Sequence, residues 1–321
     1  RRGLPLLPNY PFYKSMAYRF QPQSSVEANT RRILGEQIDK ARYQLTENFS
    51  YETAAAIRDA RKRLKKARSV LRLLRKAMDK DIYKREKNAL RDTGRLLAPA
   101  RDAEAFRETL AALTGHYASI LEDDAFDQLE AALVDLHRGR LRLLIDDGDT
   151  MATVVTTVKD SHLRLKDLQL DKAGWEAIHK GLRKIYRQGC DRMATAYDED
   201  SDDGFHEWRK RVKDLWYDLR LLRSTWPPVM KAWISEAHQL SKVLGDDHDI
   251  AEFHQFLIDH QDEDALSGTH LKLLQPLMKH RQGQLRQQAL ALGNRLYAED
   301  PDQFADRLGT YWQNWFEGKT A

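Results

Sequence analysis

The chain has 321 residues, of which 32% are charged, yet 53 Lys and Arg against 49 Asp and Glu leave a formal net charge of only +4. Hydrophobic residues make up 41%, enough for a sizeable core and too many for a disordered polyelectrolyte. A single cysteine, Cys190, excludes a disulfide framework and any multi-cysteine zinc site, and points to a reducing compartment.

The first 22 residues hold Pro5, Pro8, Pro11 and Pro22, four of nine prolines, and read as an extended arm rich in aromatics. The chain begins at Arg1 with neither Met nor an apolar signal core, which reads as a trimmed fragment. No uncharged apolar run reaches about 18 residues, so no membrane span is predicted, and cytosol is the expected location. Beyond the arm, Leu, Ala, Arg, Lys, Glu and Gln dominate, which favours helix throughout. Helices are predicted at about 25–48, 52–78, 80–98, 101–117, 122–146, 150–165, 172–198, 204–225, 228–244, 247–261, 266–297 and 301–317, an all-α protein. Ser50 and Asp171 are candidate helix caps, and Pro227-Pro228 ends one helix and starts another. The β-branched run Thr153–Val158 has no partner strand and reads as weak helix or linker. The acid-rich segment 122–149, with nine acids and three arginines, is expected to form an outer solvated face.

An internal repeat organises the rest. Residues 57–75 and 205–223 match at an offset of 148, with identities at Arg61/Arg209, Lys62/Lys210, Arg63/Arg211, Lys65/Lys213 and the runs 71–75 and 219–223. At offset 147, Leu97, Asp102 and Phe106 match Leu244, Asp249 and Phe253. A repeat this long is not a solenoid unit; it implies two pseudo-symmetric halves, about 23–149 and 150–321.

The repeated helix carries two stripes. Ile57, Ala60, Leu64, Ala67, Leu71, Leu74 and Met78 step by three and four and form an apolar face. One position later run Arg58, Arg61, Lys65, Arg68, Arg72 and Arg75, matched by His206, Arg209, Lys213, Trp216, Arg220 and Arg223. Residues 57–76 contain ten Lys or Arg and one acid, Asp59. Like charges three or four apart repel by a few tenths of a kcal/mol per pair, roughly. A solvated structural helix interleaves acids to relieve this; here relief from something anionic outside the helix is expected, either a bound anion or buried acids of another helix.

These residues resemble the CHAD family, the conserved-histidine α-helical domain. Its signature, a His-x-x-Arg-x-x-x-Lys helix followed by a Leu-Gly-x-x-x-Asp turn, corresponds to His206 through Lys213 and Leu244 through Asp249. The first copy has Arg58 in place of histidine. The resemblance implies two helical-bundle halves around a basic central channel and binding of inorganic polyphosphate, with no enzymatic step and no cofactor. The implied binding residues are Arg58, Arg61, Lys62, Lys65, Arg68, Arg72, Arg101, His206, Arg209, Lys210, Lys213 and Arg220. Polyphosphate has no bases, so a track of Arg forks and Lys point charges suffices. Polyphosphate granules or polyphosphate-handling proteins are further expected partners. Two alternatives stand beside this reading: an RNA- or DNA-binding helical module, on the same basic stripe, and a metal-dependent phosphohydrolase, on His248-Asp249 with His238 and His254. Asp246, Asp247 and Asp249 are otherwise expected to cap the next helix or to pair with basic residues.

Overall fold

In a computed structural model of the chain, residues 18–262 and 268–317 are described. The arm expected at 1–22 lies outside these residues except for its last five. All the regular structure among them is helical: α1 (Val26–Thr46), α2 (Thr53–Leu73), α3 (Lys80–Leu96), α4 (Ala98–His116), α5 (Asp127–Asp146), α6 (Gly148–Leu165), α7 (Gly174–Glu199), α8 (Asp202–Leu221), α9 (Pro227–Asp259), α10 (Gly268–Leu296) and α11 (Pro301–Glu317). The β-branched run 153–158 is helical within α6, where Val154 and Val158 are fully buried.

The helix starts follow local chemistry. Ser25, Asp79, Asp147 and Ser201 accept from backbone N–H groups of the first turns of α1, α3, α6 and α8. Each satisfies a donor that the helix itself leaves open. Ser50 and Asp171 do not take this role: Glu52 and Ala173 stand at the starts of α2 and α7, without side-chain caps. Pro227 opens α9 behind Trp226, as expected.

The main departure from the sequence reading is at residues 244–247, where a break was predicted. α9 instead runs unbroken for 33 residues. Gly245 disfavours helix by about 1 kcal/mol, but Leu244 and Ile250 are buried on the core side and outweigh it. Asp246, Asp247 and Asp249 therefore cap nothing. Asp247 accepts instead from Arg286 Nε at 3.0 Å, the basic pairing that was the other expectation for these acids.

α1, α2, α3 and α6 pack together, with the α4–α5 hairpin alongside, and α8 packs on α7 and α9, with α10 on α9 and α11 on α7. α2 crosses onto α7 and α8, and α4 meets α9, so a single apolar core runs through the molecule. Both apolar faces of the repeated helices enter it: Ile57, Leu64 and Leu71 on α2, and Phe205, Trp208 and Leu215 on α8, are essentially inaccessible. The α2–α7 crossing is close. A Cβ on Gly181 would lie 1.6 Å from the Leu73 carbonyl oxygen, so only glycine permits it. The described end of the arm fastens the α2–α8 pair. Phe20 N–H donates to Leu221 O at 2.9 Å, and the buried Tyr18 hydroxyl donates to Lys66 O at 3.3 Å.

Candidate polyanion-binding cleft

Where α2, α4, α8 and α9 converge they leave a cleft of about 420 Å³. Its lining includes Arg58, Arg61, Lys62 and Lys65 from α2, Arg101 and Asp102 from α4, Arg209, Lys213, Trp216 and Tyr217 from α8, and His238, Ser241, Lys242, Asp246, His248 and Asp249 from α9. The residues matched by sequence meet here. Arg61 and Arg209, Lys65 and Lys213, and Asp102 and Asp249 all line it, and Phe106 stacks on Phe253 behind it with ring centroids 5.7 Å apart.

The inner cations are crowded and incompletely neutralised. Lys65 is open to solvent along the cleft yet walled in by protein, and this loss of surrounding water is the first cause of a pKa brought down to about 7. Lys213, Arg61, Arg209 and Arg68 push it the same way. Lys213 falls to about 8, through burial and then Arg209, with Asp249 and Asp214 opposing. Arg61 donates to the Gly94 carbonyl of α3. Arg209 Nε is buried without a hydrogen-bond partner, and its guanidinium packs beside Gly245. The wall acids are weak counterweights. Burial raises the Asp102 and Asp246 carboxyls above their ordinary range, although Arg61 and Lys242 respectively oppose it.

Seven expected residues thus line the cleft: Arg58, Arg61, Lys62, Lys65, Arg101, Arg209 and Lys213. Arg58 and Arg101 share the α4 carboxylates Glu104 and Glu108, so the outer wall is partly neutralised. Lys242, Tyr217 and Ser241 also line it and were not singled out from sequence; Lys242 sits three residues before Gly245 on the helix turn that the predicted break obscured.

Five expected residues sit elsewhere. Arg72 is bound by Asp214 of α8, and the pairing holds its guanidinium pKa above the ordinary value despite burial. Arg220 stacks over Trp216 and Tyr18, at 5.0 and 5.6 Å. Lys210 is exposed and pairs with Glu207. His206 faces His248, with Nδ1 to Nδ1 at 2.9 Å, so one ring donates and the other accepts. Burial, with Lys210, Arg209 and Lys65 nearby, pushes both well below the usual histidine range, and both are neutral at pH 7. Arg68 lies one turn beyond Lys65, outside the lining. Trp216 is clamped between residues rather than projecting, stacked on His238 at 4.6 Å. Among the described residues no group of three or more His, Cys, Asp or Glu is placed to hold a metal ion.

An all-helical protein with a cation-lined cleft between crossing helices is the class that fold and site define. A CHAD-domain family model matches residues 32–258, and the chain belongs to that family. Solved structures agree on the fold. The CHAD domain from the plant Ricinus communis aligns with a TM-score of 0.60 at 14% identity, covering 94% of this chain and 97% of that one. PptA from Streptomyces chartreusis aligns at 0.55 and 14% identity, covering 90% of this chain and all of that one. No curated protein matches the sequence.

Proposed function

We propose that the protein binds inorganic polyphosphate in the α2–α4–α8–α9 cleft, without transforming it. The observation that carries this reading is the convergence of Arg61, Lys65, Arg209 and Lys213 from two helices, with a buried, unpartnered Arg209 Nε. Four crowded cations repel one another, and a linear polyanion relieves the repulsion while filling the open donors. His206 and His248 are engaged with each other, which favours binding over chemistry at that end of the cleft. The aromatic Trp216 is already stacked, which leaves no free platform for a base and favours a base-free anion over RNA or DNA. Cytosolic location and association with polyphosphate granules follow as part of the same proposal; among the described residues no helix is long and apolar enough to cross a membrane.

The test is titration of polyphosphate against wild type and Arg61→Glu/Arg209→Glu at several salt concentrations. Charge-assisted contacts contribute roughly 1.5–3 kcal/mol each. Loss of both is expected to weaken binding by about a hundredfold or more and to flatten the salt dependence. Unchanged affinity in the double variant would remove the site assignment. Phosphate release from polyphosphate with Mg²⁺ or Mn²⁺, abolished by Asp249→Ala, would replace binding with hydrolysis.

A further inference from the structure

The cleft holds an amine that stands apart from its neighbours. Lys65 is open to solvent along the lining and makes no ion pair among the described residues. The lysines around it in sequence are engaged: Lys62 pairs with Asp59 at 3.7 Å, Lys210 pairs with Glu207, and Lys66 is buried with its ammonium over the Tyr18 ring. The charged and titratable groups that act on Lys65 come from four helices: Arg61 and Arg68 of α2, Asp102 of α4, Arg209 and Lys213 of α8, and His248 of α9. Asp102 is the one acid among these six, and Arg61 and Arg101 act on it more strongly than Lys65 does.

An ammonium is no nucleophile, and a neutral amine is a good one. Loss of water and then the surrounding cations bring the Lys65 pKa down to about 7, so much of it is neutral amine at neutral pH. Lys213 follows at about 8, because Asp249 and Asp214 help to hold its proton. The same cations make this a place where a phosphate group settles. Arg61 stands on one wall and Arg209 on the other, and the buried Arg209 Nε has no partner. A reagent that carries both a phosphate group and an electrophilic carbon is therefore delivered to an amine ready to attack it.

We propose that Lys65 is an acylation site for small acyl phosphates, which Arg61 and Arg209 hold by the phosphate group. The Lys65 Nζ lone pair attacks the carbonyl carbon, and the carbon–oxygen bond to phosphate breaks. Inorganic phosphate leaves with that electron pair and takes up the amine proton; an amide remains on Nζ. Arg61 and Arg209 meet the charge that grows on the departing phosphate, and holding the reagent beside the amine replaces a bimolecular encounter with a local one. The inference rests on the phosphate-binding reading of the cleft and adds regulation to it. The amide is neutral, so acylation removes one cation from the site, and a bound polyanion in turn shields the amine.

The experiment treats the full chain with acetyl phosphate and, separately, with N-hydroxysuccinimidyl acetate, an uncharged acetyl donor, and follows each lysine by peptide mass spectrometry. The exposed Lys159 of α6 is the internal reference. Acetyl phosphate is expected to acylate Lys65 at least about tenfold faster than Lys159. The ratio of the two reagents at Lys65 cancels the protonation state of the amine and isolates the phosphate contact; in Arg209→Gln that ratio is expected to fall by about tenfold. Added polyphosphate is expected to protect Lys65 and not Lys159. After acetyl phosphate treatment wild type is expected to bind polyphosphate about tenfold more weakly, whereas Lys65→Arg stays within about twofold of its own untreated form. Acylation of Lys65 no faster than of Lys159 overturns the site while leaving polyphosphate binding standing. The same preference for Lys65 with both reagents also overturns it, since the amine is then reactive without phosphate guidance. Fast, phosphate-guided acylation of a chain that binds no polyphosphate removes the polyphosphate reading and keeps the acylation site.

Discussion

α2 and α8 share nine identities in nineteen positions, but the structure uses them differently. α2 is a cation rail with one acid, Asp59, in its basic segment. α8 keeps the cations at Arg209 and Lys213 but has Asp214 and Asp218 where α2 has Lys66 and Val70. These two acids point back at α2. Asp214 holds Arg72, and Asp218, completely buried, accepts from Ser69 Oγ at 3.0 Å. Burial and then Asp214 raise the Asp218 carboxyl well above its ordinary range, with Ser69 and Arg72 opposing. The difference divides the stripe in two: near Arg61 and Lys65 the helices face each other with like charge and leave a cleft, and near Arg72 they face with opposite charge and close. One helix supplies the charge, and the other decides where that charge stays available.

The largest test of this division is Asp214→Ala. It leaves Arg72 buried and unpaired, a change expected to destabilise the fold by about 3 kcal/mol, read from the denaturant midpoint at constant slope. Next is a pair of arginines from one stripe. Arg61→Gln is expected to weaken polyphosphate binding by about tenfold, or 1.4 kcal/mol, whereas Arg72→Gln leaves binding within about twofold and shows its effect in stability. Equal binding losses would erase the boundary drawn by Asp214.

A third test uses pH. Lys65 and Lys213 have pKa values near 7 and 8 in the free protein, and a polyanion favours their charged forms. Binding therefore takes up protons, and affinity falls as pH rises through these values, by up to about tenfold per titrating group and pH unit. Lys65→Arg/Lys213→Arg is expected to flatten the profile, as isothermal titration in buffers of different ionisation enthalpy would show. Without ligand the sign reverses: the unfolded chain keeps both lysines protonated up to their ordinary 10.5, so their contribution to stability grows with pH between the two limits. The smallest effect belongs to Ser69→Ala. Losing the hydrogen bond to Asp218 is expected to cost about 1 kcal/mol of stability and to leave affinity unchanged.

Sequence pattern made the helical class legible because the apolar steps of three and four are long and regular, as in Ile57 to Met78. The inner cleft was legible for a different reason: Arg61/Arg209 and Lys65/Lys213 are matched, so one pattern specified both walls. What stayed hidden depended on partners remote in sequence. Arg72 and Arg220 share the spacing of Arg61 and Arg209, and only the positions of Asp214, Trp216 and Tyr18 set them apart. Gly245 carried a local signal for a break that burial of Leu244 and Ile250 overrides.

The contacts of Tyr18 and Phe20 have a mechanical corollary. Phe20 is tied to the end of α8 and Tyr18 to the backbone of α2, with Lys66 and Arg220 over the Tyr18 ring at 5.3 and 5.6 Å. Residues 18–20 thus form a tether spliced across the two helices that frame the cleft, on the side of Asp214 where they are closed. Loss of either hydrogen bond is expected to loosen the α2–α8 pair on this closed side. Residues 18–20 thereby brace the two cleft helices from outside the cleft lining.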